Sequence, residues 1–533
     1  MRNTFSIGKL SGKRMADNSN ESRFKNSTIN ASTAMISQIV MGIVCFLERM
    51  VFNQYFISDY LGFYSLFRNV ISVLSVADLG LNVAIAYALY KPLAEDNYDE
   101  ICAIMSFYKR VYAVVGTIIL IGGLVFTPFI SFFVNTTVPI NNVRLYFIIF
   151  LLGTVFEFYL SYKQILIEAN QERYKITLAV NIFHAAMYLT QIGVSIFTGN
   201  FLLYSLCILI FDTSRCLFLR YLATKEFKYL KRKVTVKLSK ASKDAMFSNI
   251  KGLIMSRIGS ALVTSSDSIL ISTFVSSAVL GLYSNYQMIT SGLIGFIRII
   301  PNAITASLGN MGAVESSEKV ADSYKSIDTC FFIIYGIFTI VLANIINPII
   351  ATFFGLDRCL PFSSAFLMCL VFYLSSNKSI FNTYKSSLGL FWFDRKRPII
   401  SGVANLFFSI IFANFMGLNG IILGTALTYF CIDLIIEPKI IFNKGFNTHS
   451  TRYIIYNMAR LLMVIIMILS TYYITSFLPY AGILAIICRF AVAFFISALV
   501  FFILYRKNIY VKQAYKAVRK FLFKKEAWNC NVS

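Results

Sequence analysis

The chain has 533 residues, of which 57% are hydrophobic and only 14% charged, with a mean hydropathy of +0.68 and a formal net charge of +24. Soluble domains carry about 25% charged residues, so the composition excludes a string of soluble domains. The positive charge is gathered in short loops and at the two ends, where the positive-inside rule accounts for it, and this excludes a nucleic-acid partner.

In chain order, residues 1–26 are polar and basic and read as a disordered cytosolic segment. Fourteen apolar runs follow, near 29–56, 63–90, 111–133, 145–165, 176–197, 201–222, 246–274, 283–308, 327–353, 361–388, 398–416, 421–442, 453–477 and 481–505. Each is long enough to cross a hydrocarbon core roughly 30 Å thick. The turn Ser58-Asp59-Tyr60 has no Lys or Arg, and neither does Asn135-Thr136-Thr137. Basic residues fall in the alternate loops, with Arg144 and Arg358 as outliers near span ends. The richest is 223–244, expected to link two halves and to touch anionic headgroups. This alternation puts both termini in the cytosol. The ten cysteines are scattered, with no CxxC pair and no metal spacing, so free thiols and no metal site are expected.

One frame repeats. Leu61-Gly62-Phe63-Tyr64-Ser65 matches Leu280-Gly281-Leu282-Tyr283-Ser284 at a separation of 219 residues, and Ala84-Ile85, Leu89 and Glu48 fall on Ala303-Ile304, Leu308 and Asp267. A shared frame over more than 40 residues marks a duplication. The expected fold is an all-α polytopic membrane protein of about 14 transmembrane helices: two six-helix lobes, 27–222 and 245–443, then two further helices, 444–505, and a basic tail, 506–533. An even number of spans per repeat makes the lobes parallel, related by an axis along the membrane normal.

No long segment lies outside the membrane, and no Gly-rich phosphate loop, nucleophile elbow or metal cluster occurs, so no catalytic residue is assigned. An enzyme is not expected; transport or lipid handling is. Ionisable residues inside spans cost about 2.5 kcal/mol or more and usually face a bundle interior or a wet cavity. Arg49, Arg68, Arg257, Arg298, Lys378 and Lys385 are candidates to line a cationic cavity for an anionic passenger such as a diphosphate. Glu48 and Asp267, equivalent in the repeat, are candidates for proton or sodium coupling. Asp212 and Arg215, three apart on a helix, read as a structural ion pair. His184, Arg489 and the ion-pair residues read as packing, and Pro301 should kink its span one turn after Arg298.

The segment Tyr60 to Leu89, YLGFYSLFRNVISVLSVADLGLNVAIAYAL, with TSSDSILIS (Thr264 to Ser272), GLYSNYQMI (Gly281 to Ile289) and ITASLGN (Ile304 to Asn310), resembles Wzx-type polysaccharide flippases of the multidrug/oligosaccharidyl-lipid/polysaccharide exporter superfamily. The resemblance implies a flippase that carries an undecaprenyl-diphosphate oligosaccharide across a bacterial inner membrane between two alternately opening lobes. It implies membrane lipid and the polysaccharide polymerase machinery as partners, and no cofactor beyond a coupling proton or sodium ion. By helix, it implies a cavity role for Arg49, Arg68 and Arg298 and a lipid-tail groove on the last two spans. Two rivals stand beside it: a cation-coupled multidrug exporter of the same superfamily, which would need an anionic cavity, and a membrane-embedded polysaccharide polymerase or ligase.

Overall fold

A computed structural model describes residues 6–75, 81–231, 258–259 and 261–516. Among them the structure is all-helical, and eleven helices are long and apolar enough to cross a membrane. The elements are α1 (Ser6–Tyr55), α2 (Ser58–Leu74), α3 (Leu81–Ala94), α4 (Tyr98–Phe126), α5 (Ile140–Ser161), α6 (Gln164–Ala169), α7 (Arg173–Thr198) and α8 (Phe201–Glu226). After them come α9 (Ala261–Phe274), α10 (Ser277–Ile297), α11 (Ile299–Val314), α12 (Ser317–Phe353), α13 (Phe362–Ser387) and α14 (Phe391–Asp394). The last are α15 (Arg397–Met416), α16 (Leu418–Thr428), α17 (Leu434–Ile440), α18 (Thr451–Thr475) and α19 (Ile483–Tyr505).

Among the described residues the predicted spans fall on helix, and the eighth is made of two. Arg298 closes α10 with helical backbone angles, and α11 starts at the next residue. Pro301 explains the break: it has no N–H to give to the Ile297 carbonyl, and its ring crowds that carbonyl. In the repeat frame this junction corresponds to position 79, which lies outside the described residues. The N-terminal segment departs from expectation. α1 is one helix from Ser6 through the first span, since extending an existing helix needs no new nucleus and no proline interrupts residues 6–55.

Two compact units are present. One holds α1, α3–α8 and the end of α2 from Val70; the other holds α9–α19 with Ser58–Asn69 and Phe133–Thr136. In the first, α1 packs on α7, α7 on α8, α8 on α5, and α5 on α4. In the second, the 37-residue α12 is the central post, flanked by α13, α18 and α19. Tyr324 of α12 meets Tyr384, Phe442 and Tyr453 at ring-centroid distances of 4.7, 5.6 and 5.6 Å, joining α13 and α18 to that post.

Two backbone approaches shape the second unit. The starts of α2 and α10 cross so closely that a Cβ on Gly62 would lie 2.0 Å from the Ser277 carbonyl oxygen, and one on Gly281 would lie 2.0 Å from that of Ser58. The contact is reciprocal, with Ser58 and Gly62 equivalent to Ser277 and Gly281 in the repeat. The α15–α16 hairpin is as tight. It turns at Gly417 with φ 54°, and a Cβ on Gly420 would lie 2.0 Å from the Phe412 oxygen, while one on Gly424 would touch Ser409 at 2.5 Å. Small residues four apart let helix backbones meet where apolar lipid gives no drive for association.

Candidate functional site

The α15–α16 approach builds a polar pocket around Asp267 of α9. Thr425 places its hydroxyl 2.9 Å from both carboxylate oxygens of Asp267, and Asn405 Nδ2 donates to Thr425 Oγ1 at 2.8 Å. Ser266 donates to Asn405 Oδ1 at 2.7 Å, and Ser409 donates to the Ile421 carbonyl at 3.2 Å. Asp267, Asn405, Ser409 and Thr425 are all buried. Asp267 joins none of the ion pairs among the described residues. The chemistry available is a carboxylate that takes a proton, or a set of oxygens (Asp267, Asn405, Ser409, Thr425 and the Ile421 carbonyl) of the kind hard cations prefer. No group of three His, Cys, Asp or Glu suited to a metal occurs among the described residues.

Four residues of α15 point the same way. Arg397, Ser401, Asn405 and Ser409 recur every four positions and are all buried, so one helix face is polar over its first three turns and more, until Ala413. At its start the face enters an ionic cluster. Arg397 Nη1 reaches Asp433 at 2.6 Å, Nε reaches Asp394 at 2.6 Å and Nη2 reaches Glu437 at 2.9 Å. Lys385 binds Asp394 and Glu437, each at 2.7 Å, and Lys378 binds Asp433 at 2.6 Å. Ser401 donates to the same Asp433 at 2.9 Å. Three cations meet three anions. Asp433 sits on a π-helical turn, Tyr429–Asp433, that swings it between α13 and α15.

This cluster corrects the reading of Lys378 and Lys385 as open cavity cations. Lys385 is 2% exposed and held by two carboxylates, and Lys378 is spent on Asp433. Both charges are therefore balanced inside the cluster. Asp394 and Glu437 carried no signal, and Arg397 looked like one of three loop residues with Arg395 and Lys396. The period of four in polar residues along an otherwise apolar helix was the available clue.

Arg298 differs. It is exposed at the α10–α11 junction, with 21 residues of α10 on one side and 16 of α11 on the other. At 1.5 Å per residue it stands about 24 Å or more along the helices from either end. Arg68 is also exposed; its Nη1 donates to the Tyr64 hydroxyl at 2.6 Å and its guanidinium lies 5.5 Å from that ring centroid.

In the first unit Glu48 is buried and accepts a hydrogen bond from Tyr204 at 2.5 Å, with Arg49 half-buried beside it. Glu48 and Asp267 share a place in the repeat but not a setting: a phenol serves one and a threonine–asparagine pair the other. Arg215 binds Asp212 at 3.3 Å and also Glu157 of α5 at 3.1 Å, a partner the sequence did not name. Arg257 lies outside the described residues, as do Asp78, Lys251 and most of 223–244.

The last two spans are held to the second unit by charge as well as by rings. Arg460 of α18 binds Asp328 of α12 at 2.5 Å, and Tyr453 donates to the same carboxylate at 2.7 Å. Arg489 of α19 donates to the carbonyls of Pro479 and Leu478, each at 2.9 Å.

No family model and no curated protein sequence matches the chain. Solved structures do. The lipid II flippase MurJ in an inward closed conformation is 14% identical, with a TM-score of 0.65 over 90% of this chain and 100% of that one. An inward-facing multidrug resistance MATE family transporter of the MOP superfamily is 14% identical, with a TM-score of 0.60 over 78% of this chain and 99% of that one. An outward-facing MATE transporter is 13% identical, with a TM-score of 0.52 over 83% and 96%. The chain has the fold of these membrane transporters.

Proposed function

We propose that the chain is a flippase that moves undecaprenyl-diphosphate-linked oligosaccharide units from the cytosolic to the outer leaflet of a bacterial inner membrane, for surface polysaccharide synthesis. The observation that carries this reading is Arg298, an exposed guanidinium at a helix break deep within a span. A cation inside a span needs a wet, anion-bearing environment. A guanidinium meets two phosphate oxygens with two parallel hydrogen bonds, which suits a diphosphate. Arg68 and Arg49 are assigned supporting roles on the second and first spans.

The fold supports the reading. The flippase likeness covers 90% of the chain, and the inward-facing drug exporter 78%. On this proposal α18 and α19 guide the polyprenyl tail, which stays in lipid while sugar and diphosphate pass through water-lined space. Asp267 exchanges a proton or a sodium ion during the cycle, and Glu48 is the weaker coupling candidate because a phenol already occupies it. A polymerase that joins the released units is the proposed partner.

Two measurements test the function. Deletion should strand lipid-linked repeat units on the cytosolic side, and the purified protein in liposomes should expose a fluorescent diphosphate-linked oligosaccharide to an impermeant quencher. A drug exporter of this fold is the second reading, favoured by the carboxylates buried in both units; efflux of cationic dyes with no effect on the lipid-linked sugar would replace the first by it.

A further inference from the structure

The first unit holds a cluster of ionisable groups that the proposed function does not use. His184 of α7 has Nε2 3.4 Å from Asp212 Oδ1 on α8. Asp212 is also bound by Arg215 Nε at 3.3 Å, and Arg215 Nη2 reaches Glu157 on α5 at 3.1 Å. One guanidinium thus faces two carboxylates, and the imidazole beside them is able to take a proton.

The cluster lies deep in the membrane-spanning region. His184 is the twelfth residue of α7, and Asp212 the twelfth of α8, which puts both about 16 Å along their helices. It is nonetheless open: the side chains of His184, Asp212 and Glu157 are 31%, 25% and 47% exposed. Open charged groups at such depth face a wet space and not lipid tails. The other elements packed on α7 bring their own groups. α1 gives Ser37 to Asn181, and its Glu48 accepts from Tyr204; α6 gives Glu168, bound to Arg173 at 3.0 Å. At the start of α7, Lys175 joins Glu172 and Glu226.

We propose that His184 and Asp212 form a proton-binding site in the first unit, distinct from Asp267, with Arg215 and Glu157 setting its charge. In the neutral form Nε2–H donates to Asp212, and the Nδ1 lone pair takes the next proton. The product is an imidazolium paired with the Asp212 carboxylate. Removing the proton leaves one guanidinium to hold both acids.

The chain has only two histidines, His184 and His449, which makes the test direct. Histidine-labelled protein carrying His449→Gln, in lipid nanodiscs without substrate, gives one imidazole signal. That signal should change from neutral imidazole to imidazolium on acidification, and Asp212→Asn should lower the proton affinity about tenfold. An imidazole that stays neutral to pH 5, or a midpoint indifferent to Asp212→Asn, overturns the proposal. If Asp212→Asn does not fold, the titration of the His449→Gln protein decides alone. No substrate enters this test, so its failure leaves the flippase reading standing.

Discussion

Gly62 and Gly281 each stand against a serine carbonyl of the other's helix, Gly62 against Ser277 and Gly281 against Ser58. The crossing is held from both sides. Asn135 bridges to α9 and α10: its N–H donates to Ser272 O at 3.3 Å and its carbonyl accepts from the Ser277 N–H at 2.9 Å. Thr136 donates to Asp59, and Arg358 to Ser58. In the repeat frame, the loop carrying Asn135 and Thr136 is equivalent to the loop near Arg358.

A methyl group at either glycine must push two backbones apart. Gly281→Ala and Gly62→Ala should each lower stability by about 1–3 kcal/mol, the usual range for overpacking. Gly292→Ala, in the same helix with open space around its Cβ, should instead gain about 0.5–1 kcal/mol from restricting the unfolded chain and favouring helix. Thermal unfolding in detergent checks both signs, and equal shifts for Gly281 and Gly292 would remove the crossing from the argument.

Breaking the ionic cluster on one side should cost more. Lys385→Met leaves Glu437 and Asp394 sharing Arg397 in a dry setting. Removing one partner of a buried pair typically costs about 3–5 kcal/mol. Lys319→Ala, whose partner Glu315 is on the surface, should change stability by less than about 1 kcal/mol. The double variant Lys385→Met with Glu437→Leu should recover much of the loss, because replacing both charges by apolar groups is often neutral. Chemical denaturation of all four proteins reads the ordering.

How far the sequence carried this picture follows from what it records. The polytopic all-α class was legible because hydropathy is a local signal, and eleven helices among the described residues are long and apolar enough to cross a membrane. Helix continuity was not: a run such as 283–308 has the same hydropathy whether or not Arg298 and Pro301 break it. Charge pairing was lost for a different reason. Lys385 finds Glu437 at a separation of 52 residues, Arg397 finds Asp433 at 36 and Arg215 finds Glu157 at 58, distances at which no helical periodicity links them. Asp212 and Arg215, three apart, could be paired on sight. The partner of Asp267 is uncharged Thr425, backed in turn by Asn405, ordinary residues in apolar helices, and the tight Gly420–Gly424 packing brings them together.

Asp267→Asn keeps the size of the side chain and can still accept from Thr425, so the fold should survive. Flipping in liposomes should then lose its response to imposed proton or sodium gradients. Thr425→Val removes the hydroxyl that meets both carboxylate oxygens and should weaken gradient coupling by about tenfold, in line with the loss of a group that orients a ligand. Comparing the two gradients separately also identifies the ion. An Asp267→Asn protein that responds to both gradients as the unaltered one does would take Asp267 out of the coupling step.

Arg298→Ala should reduce transport of the diphosphate-linked oligosaccharide by at least about tenfold, the loss of one charged contact of 1.4 kcal/mol or more. Arg298→Lys should restore only part of it, since an ammonium is a point charge that cannot match two phosphate oxygens in a plane. Arg489→Ala provides the contrast: its guanidinium is occupied by the Pro479 and Leu478 carbonyls, so its loss should lower stability and leave the apparent affinity for substrate unchanged. Affinity is best read as inhibition of flipping by a soluble diphosphate-linked sugar. If Arg298→Ala binds this competitor as tightly as the unaltered protein, the helix break serves only as a hinge, and the diphosphate must be held by Arg68 or Arg49.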